Sequence, residues 1–136
     1  MIEGTTWVLK QTLLKAIEIK GKTFRPGEYE LSSDRSYELK ENGNIKEQTK
    51  FLKLPDNIRF TYKALGKYTK TEFDLGVGTT AWENFLEALK VRNRITHPKN
   101  TSEFSVSNSE IAICQQVTSW FNLLTLQSVK VLFKHP

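Results

Sequence analysis

Thr80-Ala81-Trp82-Glu83-Asn84-Phe85-Leu86-Glu87-Ala88-Leu89-Lys90-Val91-Arg92-Asn93-Arg94-Ile95-Thr96-His97-Pro98-Lys99 is the stretch on which the fold turns. Trp82, Phe85, Leu86 and Leu89 recur at three- and four-residue spacing, the period of a helix with one apolar stripe. At about 100° per residue Asn93 falls near the centre line of that stripe, with Arg92 and His97 on its two flanks. Three polar groups thus follow four apolar ones, and a polar group buried on such a line needs a partner. Thr80 is a plausible cap, and the residue before Pro98 is pushed out of helical geometry. The helix is therefore expected from Ala81 to about Thr96, with His97 at its break.

The helices on either side carry their own end signals. Ser107-Asn108-Ser109-Glu110 has capping-box spacing and opens a long final helix. Ile111, Ile113, Cys114, Val117, Trp120, Phe121, Leu124, Val131 and Leu132 cover more than one face of it, which predicts a central position in a bundle. Upstream, residues 70–80 hold two glycines and no helical period, so they connect. Their Gly-x-Gly lacks a preceding strand, a third glycine and a phosphate-loop lysine, which sets nucleotide-binding loops aside. Pro55 suits a first helical turn, Asp56 favours the N-terminus, and Ile58, Tyr62 and Leu65 share a side, so a helix is expected from 55 to about 69. Lys50-Phe51-Leu52-Lys53-Leu54 alternates as an extended segment does. Ser33-Asp34 either caps a short helix through Lys40, ended by Asn42-Gly43, or Asn42-Gly43 turns a hairpin between two short strands; the helix reading is preferred. Lys22–Ser33 reads as a loop with a Pro26-Gly27 turn. Residues 5–20 read as a surface helix with Leu9, Leu13, Ala16 and Ile17 inward, Lys10, Lys15 and Lys20 elsewhere, and Gly21 at its end. The sum is an all-α chain, a bundle of four to five helices.

A length of 136 residues is one domain's worth, and residues 1–136 are read as a single helical domain. Lys and Arg outnumber Asp and Glu 20 to 15, for a net charge of +5. Residues 86–100 concentrate the excess, with Lys90, Arg92, Arg94 and Lys99 against Glu87 alone, a patch compatible with a polyanion and equally with a solvated face. The single cysteine, Cys114, makes neither an internal disulfide nor a zinc site and points to a reducing compartment, with core packing its expected role. No signal segment opens the chain and no apolar run is long enough to span a bilayer, so a cytoplasmic protein without a membrane partner is expected. Trp7, Trp82, Trp120 and the phenylalanines fall on apolar stripes and are expected in the core. No metal constellation, carboxylate pair or Ser-His-Asp order stands out, and no cofactor is implied. His135 reads as tail.

Arg92 and His97 suffice between them for RNA cleavage without a metal. An arginine fork grips a phosphate through two hydrogen bonds, and a histidine takes or gives a proton near neutral pH. The ribose 2′-hydroxyl supplies the nucleophile, His97 acts as general base or acid, and Arg92 neutralises charge on the phosphorane. Five residues apart on a regular helix, the two side chains are about 140° out of phase and about 7.5 Å apart along the axis. The break before Pro98 helps them converge, and a second copy related by a two-fold axis helps more, because two Arg/His sets then line one cleft.

The run Arg92-Asn93-x-x-x-His97 at the end of a helix in a small helical chain resembles the HEPN domain superfamily, and its wording Arg-Asn-Arg-Ile-Thr-His-Pro-Lys looks like standalone prokaryotic members. The resemblance covers residues 80–132. It implies an antiparallel helical bundle, a homodimer with the motifs meeting at the interface, and a metal-independent endoribonuclease of toxin–antitoxin or phage-defence systems, with an antitoxin or defence-system protein as further partner. Carried over, Arg92 and His97 are the catalytic pair and Asn93 the residue that orients them; Lys90, Arg94 and Lys99 of the basic patch are then expected to be the RNA-binding cations. Lys99 stands where the branch paired with minimal nucleotidyltransferase antitoxins has a tyrosine, a departure from that branch's pattern. Two other readings stay open: a catalytically inactive HEPN interaction module, and a basic patch that binds nucleic acid without cutting it. In the first, Arg92 is a solvated residue paired with Glu87 or Glu83, and His97 a helix C-terminal cap; in the second, Arg94 and Lys99 contribute to binding about as much as Arg92 does.

Overall fold

The computed structural model describes residues 1–49 and 51–134. The described residues are mostly helical, with one small sheet: α1 (Ile2–Ile19), α2 (Glu28–Ser32), β1 (Arg35–Leu39), β2 (Ile45–Thr49), α3 (Leu54–Thr69), α4 (Thr80–Thr96), a 3-10 turn (Thr101–Phe104) and α5 (Asn108–Lys134). They group into two compact units, Met1–Glu72 and Phe73–Pro136.

In the first unit α1 packs on α3. Helix α1 begins at Ile2, three residues before the expected Thr5, and the Thr6 hydroxyl donates to the Ile2 carbonyl at 2.8 Å inside it. Its end follows the sequence: Gly21, at φ 61°, donates to the Glu18 carbonyl and Lys22 to that of Ile17, the paired bonds of a glycine-ended helix. Thr6, Leu9, Lys10, Leu13 and Ile17 are buried, and α3 offers Ile58, Thr61, Tyr62, Leu65 and Thr69. Pro55 stands in the first turn of α3 as expected.

Three expectations fail in this unit. Residues 22–33 are not all loop, since α2 follows directly on the Pro26-Gly27 turn, with Gly27 at φ 83°. Residues 33–40 are not helical: the described residues are mostly helical, in keeping with the all-α reading, but this segment enters a small hairpin. Strands β1 and β2 pair antiparallel, from Arg35 opposite Thr49 to Leu39 opposite Ile45. Gly43, at φ 81°, supplies the left-handed residue of the turn, where its N–H donates to the Lys40 carbonyl. Leu39 and Ile45 are about three-quarters exposed, so no buried face imposed a period of two on the sequence. Lys10 is also not on the solvent side: it is 1% exposed, ion-paired with Asp34 and donating to Asn57 Oδ1 at 3.1 Å. Of the alternating segment 50–54, Lys50 lies outside the described residues, and Leu54 already opens α3.

In the second unit α4 packs on α5. Trp82 and Phe85 of α4 meet Trp120 of α5 at centroid distances of 6.1 and 5.3 Å, and Phe121 packs beside Trp120. The capping box forms as read: Ser107 Oγ accepts from the Glu110 N–H and Glu110 Oε1 from the Ser107 N–H. Helix α5, 27 residues long, buries one face only, through Val117, Phe121, Leu124 and Ser128. The apolar side chains beyond that face leave Leu123, Leu126, Val129 and Phe133 exposed. Cys114 is half-buried, while Trp7, Phe51, Phe104 and Phe133, expected inside, are exposed. No described helix is long and apolar enough to cross a membrane, and His135 lies outside the described residues.

Candidate functional site

The end of α4 carries the motif. The helix stops where Pro98 requires: His97 leaves helical geometry at φ −130°, ψ 61°, its N–H still donating to the Asn93 carbonyl at 2.9 Å. The Thr96 hydroxyl donates back to the Arg92 carbonyl at 2.7 Å, which ties the last turn to the residue that bears the guanidinium. Arg92 Nε and Nη2 both donate to Asn93 Oδ1, at 3.3 and 3.2 Å. The amide oxygen therefore holds the fork from one side.

Arg92, Asn93 and His97 are all exposed. Asn93 was expected on the buried stripe. The stripe is covered by α5 around Trp82 and Phe85, but it is open at Asn93, so the cost of burying that amide does not arise. All three side chains reach solvent.

The remaining cations divide. Lys90 is exposed and paired with Glu87 at 2.8 Å, which raises its pKa. Lys99 has an exposed side chain, and its backbone N–H donates to the Glu103 carboxylate. Arg94 differs from both. Its Nη1 and Nη2 grip the two oxygens of Glu110 at 2.7 and 3.2 Å, while Nε and Nη2 donate to the carbonyls of Glu103 and Ser105 at 3.1 and 2.8 Å. The guanidinium beside Glu110, helped by the Ser107 N–H, holds that carboxyl down at about 2 against the opposing loss of hydration, and Glu110 raises Arg94 in return. Arg94 is thus a staple that fixes the loop between α4 and α5, and with it the exit of the chain behind His97.

Reading the sequence missed this staple. The capping box was visible, but nothing at a separation of 16 residues says that its glutamate also receives an arginine. The exposed apolar face of α5 was missed too, although Leu126, Val129 and Phe133 stand at helical spacing and signalled it. Among the described residues, no three His, Cys, Asp or Glu side chains gather in a way that would hold a metal.

No protein family, curated protein or solved structure matches this chain.

Proposed function

We propose that the chain is a metal-independent endoribonuclease of HEPN type, a cytoplasmic antiparallel helical bundle that works as a homodimer in a toxin–antitoxin or phage-defence setting. The observation that carries the reading is the state of the motif. The side chains of Arg92, Asn93 and His97 stand exposed within one and a half turns, with Arg92 Nε and Nη2 held by the Asn93 amide oxygen.

In the reaction His97 removes the proton of a ribose 2′-hydroxyl, whose oxygen attacks the adjacent phosphorus. Arg92 neutralises the charge that builds on the phosphorane oxygens. The 5′-oxygen of the next nucleotide leaves and takes a proton from the histidine of the second copy, and a 2′,3′-cyclic phosphate remains. Lys90 and Lys99 flank the site and draw the RNA backbone. Arg94 shapes the loop and contributes little directly to RNA, because its donors are engaged.

The test is cleavage of total cellular RNA in EDTA. Wild-type protein cuts to cyclic-phosphate ends, and His97→Ala lowers the rate by about 10²- to 10⁴-fold, the usual worth of a general acid or base. Cutting by His97→Ala at the wild-type rate would remove the assignment. The exposed Leu123, Leu126, Val129 and Phe133 favour a second reading, an inactive interaction module. In that case neither protein cuts and both remain folded.

A further inference from the structure

We propose that the first unit binds a monocyclic aromatic carboxylate, with its ring in a cavity between α1, α3 and the 22–28 segment and its charge against Lys22. The cavity measures about 130 Å³. Leu13 and Ile17 of α1 form an apolar floor, Ala64 of α3 leaves the space open, and Phe24 and Tyr68 supply aromatic walls. Thr23 and Ser32 also line it, with Lys22, Glu28 and Lys67; an apolar space of about 150 Å³ holds one benzene ring, whereas sites for larger ligands run to about 300–1,000 Å³. The size therefore selects a single ring.

The charges select an anion. Lys67 Nζ lies 3.0 and 3.3 Å from the two carboxylate oxygens of Glu28, so the two lining charges cancel. Loss of hydration pushes the Glu28 carboxyl up, but hydrogen bonds from the Arg25 N–H and from Lys67 outweigh it and hold the pKa below its ordinary value. Glu28 is thus ionised and already neutralised. Lys22, also lining the cavity, makes no ion pair among the described residues, and its Nζ stands 4.7 Å from the centre of the Tyr68 ring. An adjoining depression of about 410 Å³ shares Glu28, Ala64 and Lys67 and adds Arg25 and Lys63, which are likewise in no ion pair among the described residues. A ligand whose ring enters the apolar floor leaves its carboxylate beside Lys22, in a field made positive by Arg25 and Lys63. Burial of the ring and the charge-assisted bond then act together, and neither alone suffices.

The inference does not rest on the ribonuclease reading, since it uses no residue of the α4 motif. The full chain is titrated with benzoate and followed by ¹H–¹⁵N correlation spectra, with acetate and benzyl alcohol as ringless and uncharged controls. Benzoate is expected to saturate, with shifts gathered at residues 13–32 and 64–68, and to bind at least ~10-fold tighter than either control. Lys22→Ala weakens benzoate by ~10-fold and leaves benzyl alcohol unchanged. Ala64→Phe fills the cavity and abolishes binding. Lys22 is exposed, so its variant folds and decides the matter even if Ala64→Phe does not fold. Absence of saturable benzoate binding, acetate binding as well as benzoate, or wild-type affinity in Lys22→Ala would each overturn the proposal.

Discussion

Two arginines two positions apart on α4 do opposite work, and substitution separates them. Arg94 is committed to Glu110 and two carbonyls, whereas the fork of Arg92 rests on an exposed amide. Arg94→Ala is expected to lower the melting temperature and loosen residues 97–107, whereas Arg92→Ala lowers it less and removes cleavage. Thermal melts of the two variants beside their RNA cleavage check this, and equal melting losses would contradict it. The staple also has a pH signature. Glu110 titrates near 2 in the folded chain against an ordinary 4.5, so its contribution is fully present above about 4.5 and is lost as pH falls towards 2. Wild type therefore melts above Glu110→Gln at pH 7, and the gap closes by about pH 2. A gap that persists at pH 2 would place the stabilisation elsewhere. At this scale the sequence showed which residues stand at the helix end and not which of them are engaged, because the partners of Arg94 come from a loop whose path no periodicity records.

Among the elements, those with strong end signals were legible. Helices expected over 55–69 and 81–96 are found at Leu54–Thr69 and Thr80–Thr96, and the capping box opens α5 at Asn108. Proline and capping chemistry act within one turn and so can be read locally. The hairpin was not legible, because its apolar residues face solvent and leave only the Asn42-Gly43 turn as a signal, which a helix end also explains. Lys10 illustrates the same limit. Its burial depends on Asp34 and Asn57, 24 and 47 residues away, and joins α1 to α3 and to the entry of β1. Breaking a buried pair by removing one partner leaves the other charge unpaired. Lys10→Met is therefore expected to cost about 3 kcal/mol, the low end of the usual range because Asp34 keeps a quarter of its side chain in water. Lys10→Met/Asp34→Asn recovers part of that loss. Urea denaturation of the two variants checks it, and a double variant no more stable than the single one would mean that Lys10 acts through packing alone.

At the scale of the whole molecule, the proposed chemistry asks for more than one chain provides. On a regular helix Arg92 and His97 diverge by about 140°, and the observed break releases His97 without supplying a second proton carrier for the leaving oxygen. Two copies supply it if their motifs share one cleft, and this dependence on a partner is what no single sequence displays. Diluting active chains with inactive ones tests it directly. The double variant Arg92→Ala/His97→Ala has neither guanidinium nor imidazole, and a dimer of it with wild type retains one arginine and one histidine, both on the same chain. If the motifs meet, that dimer lacks the second histidine, so co-refolding wild type with an excess of the double variant is expected to lower cleavage of an RNA in EDTA per wild-type chain, in proportion to the mixed dimer present. If each chain works through its own pair, cleavage per wild-type chain stays unchanged. Unchanged cleavage from a mixture shown by light scattering and tag capture to contain mixed dimers would therefore move the active site off the dimer axis. Lowered cleavage would make the two-fold assembly, not the α4 motif alone, the catalytic unit.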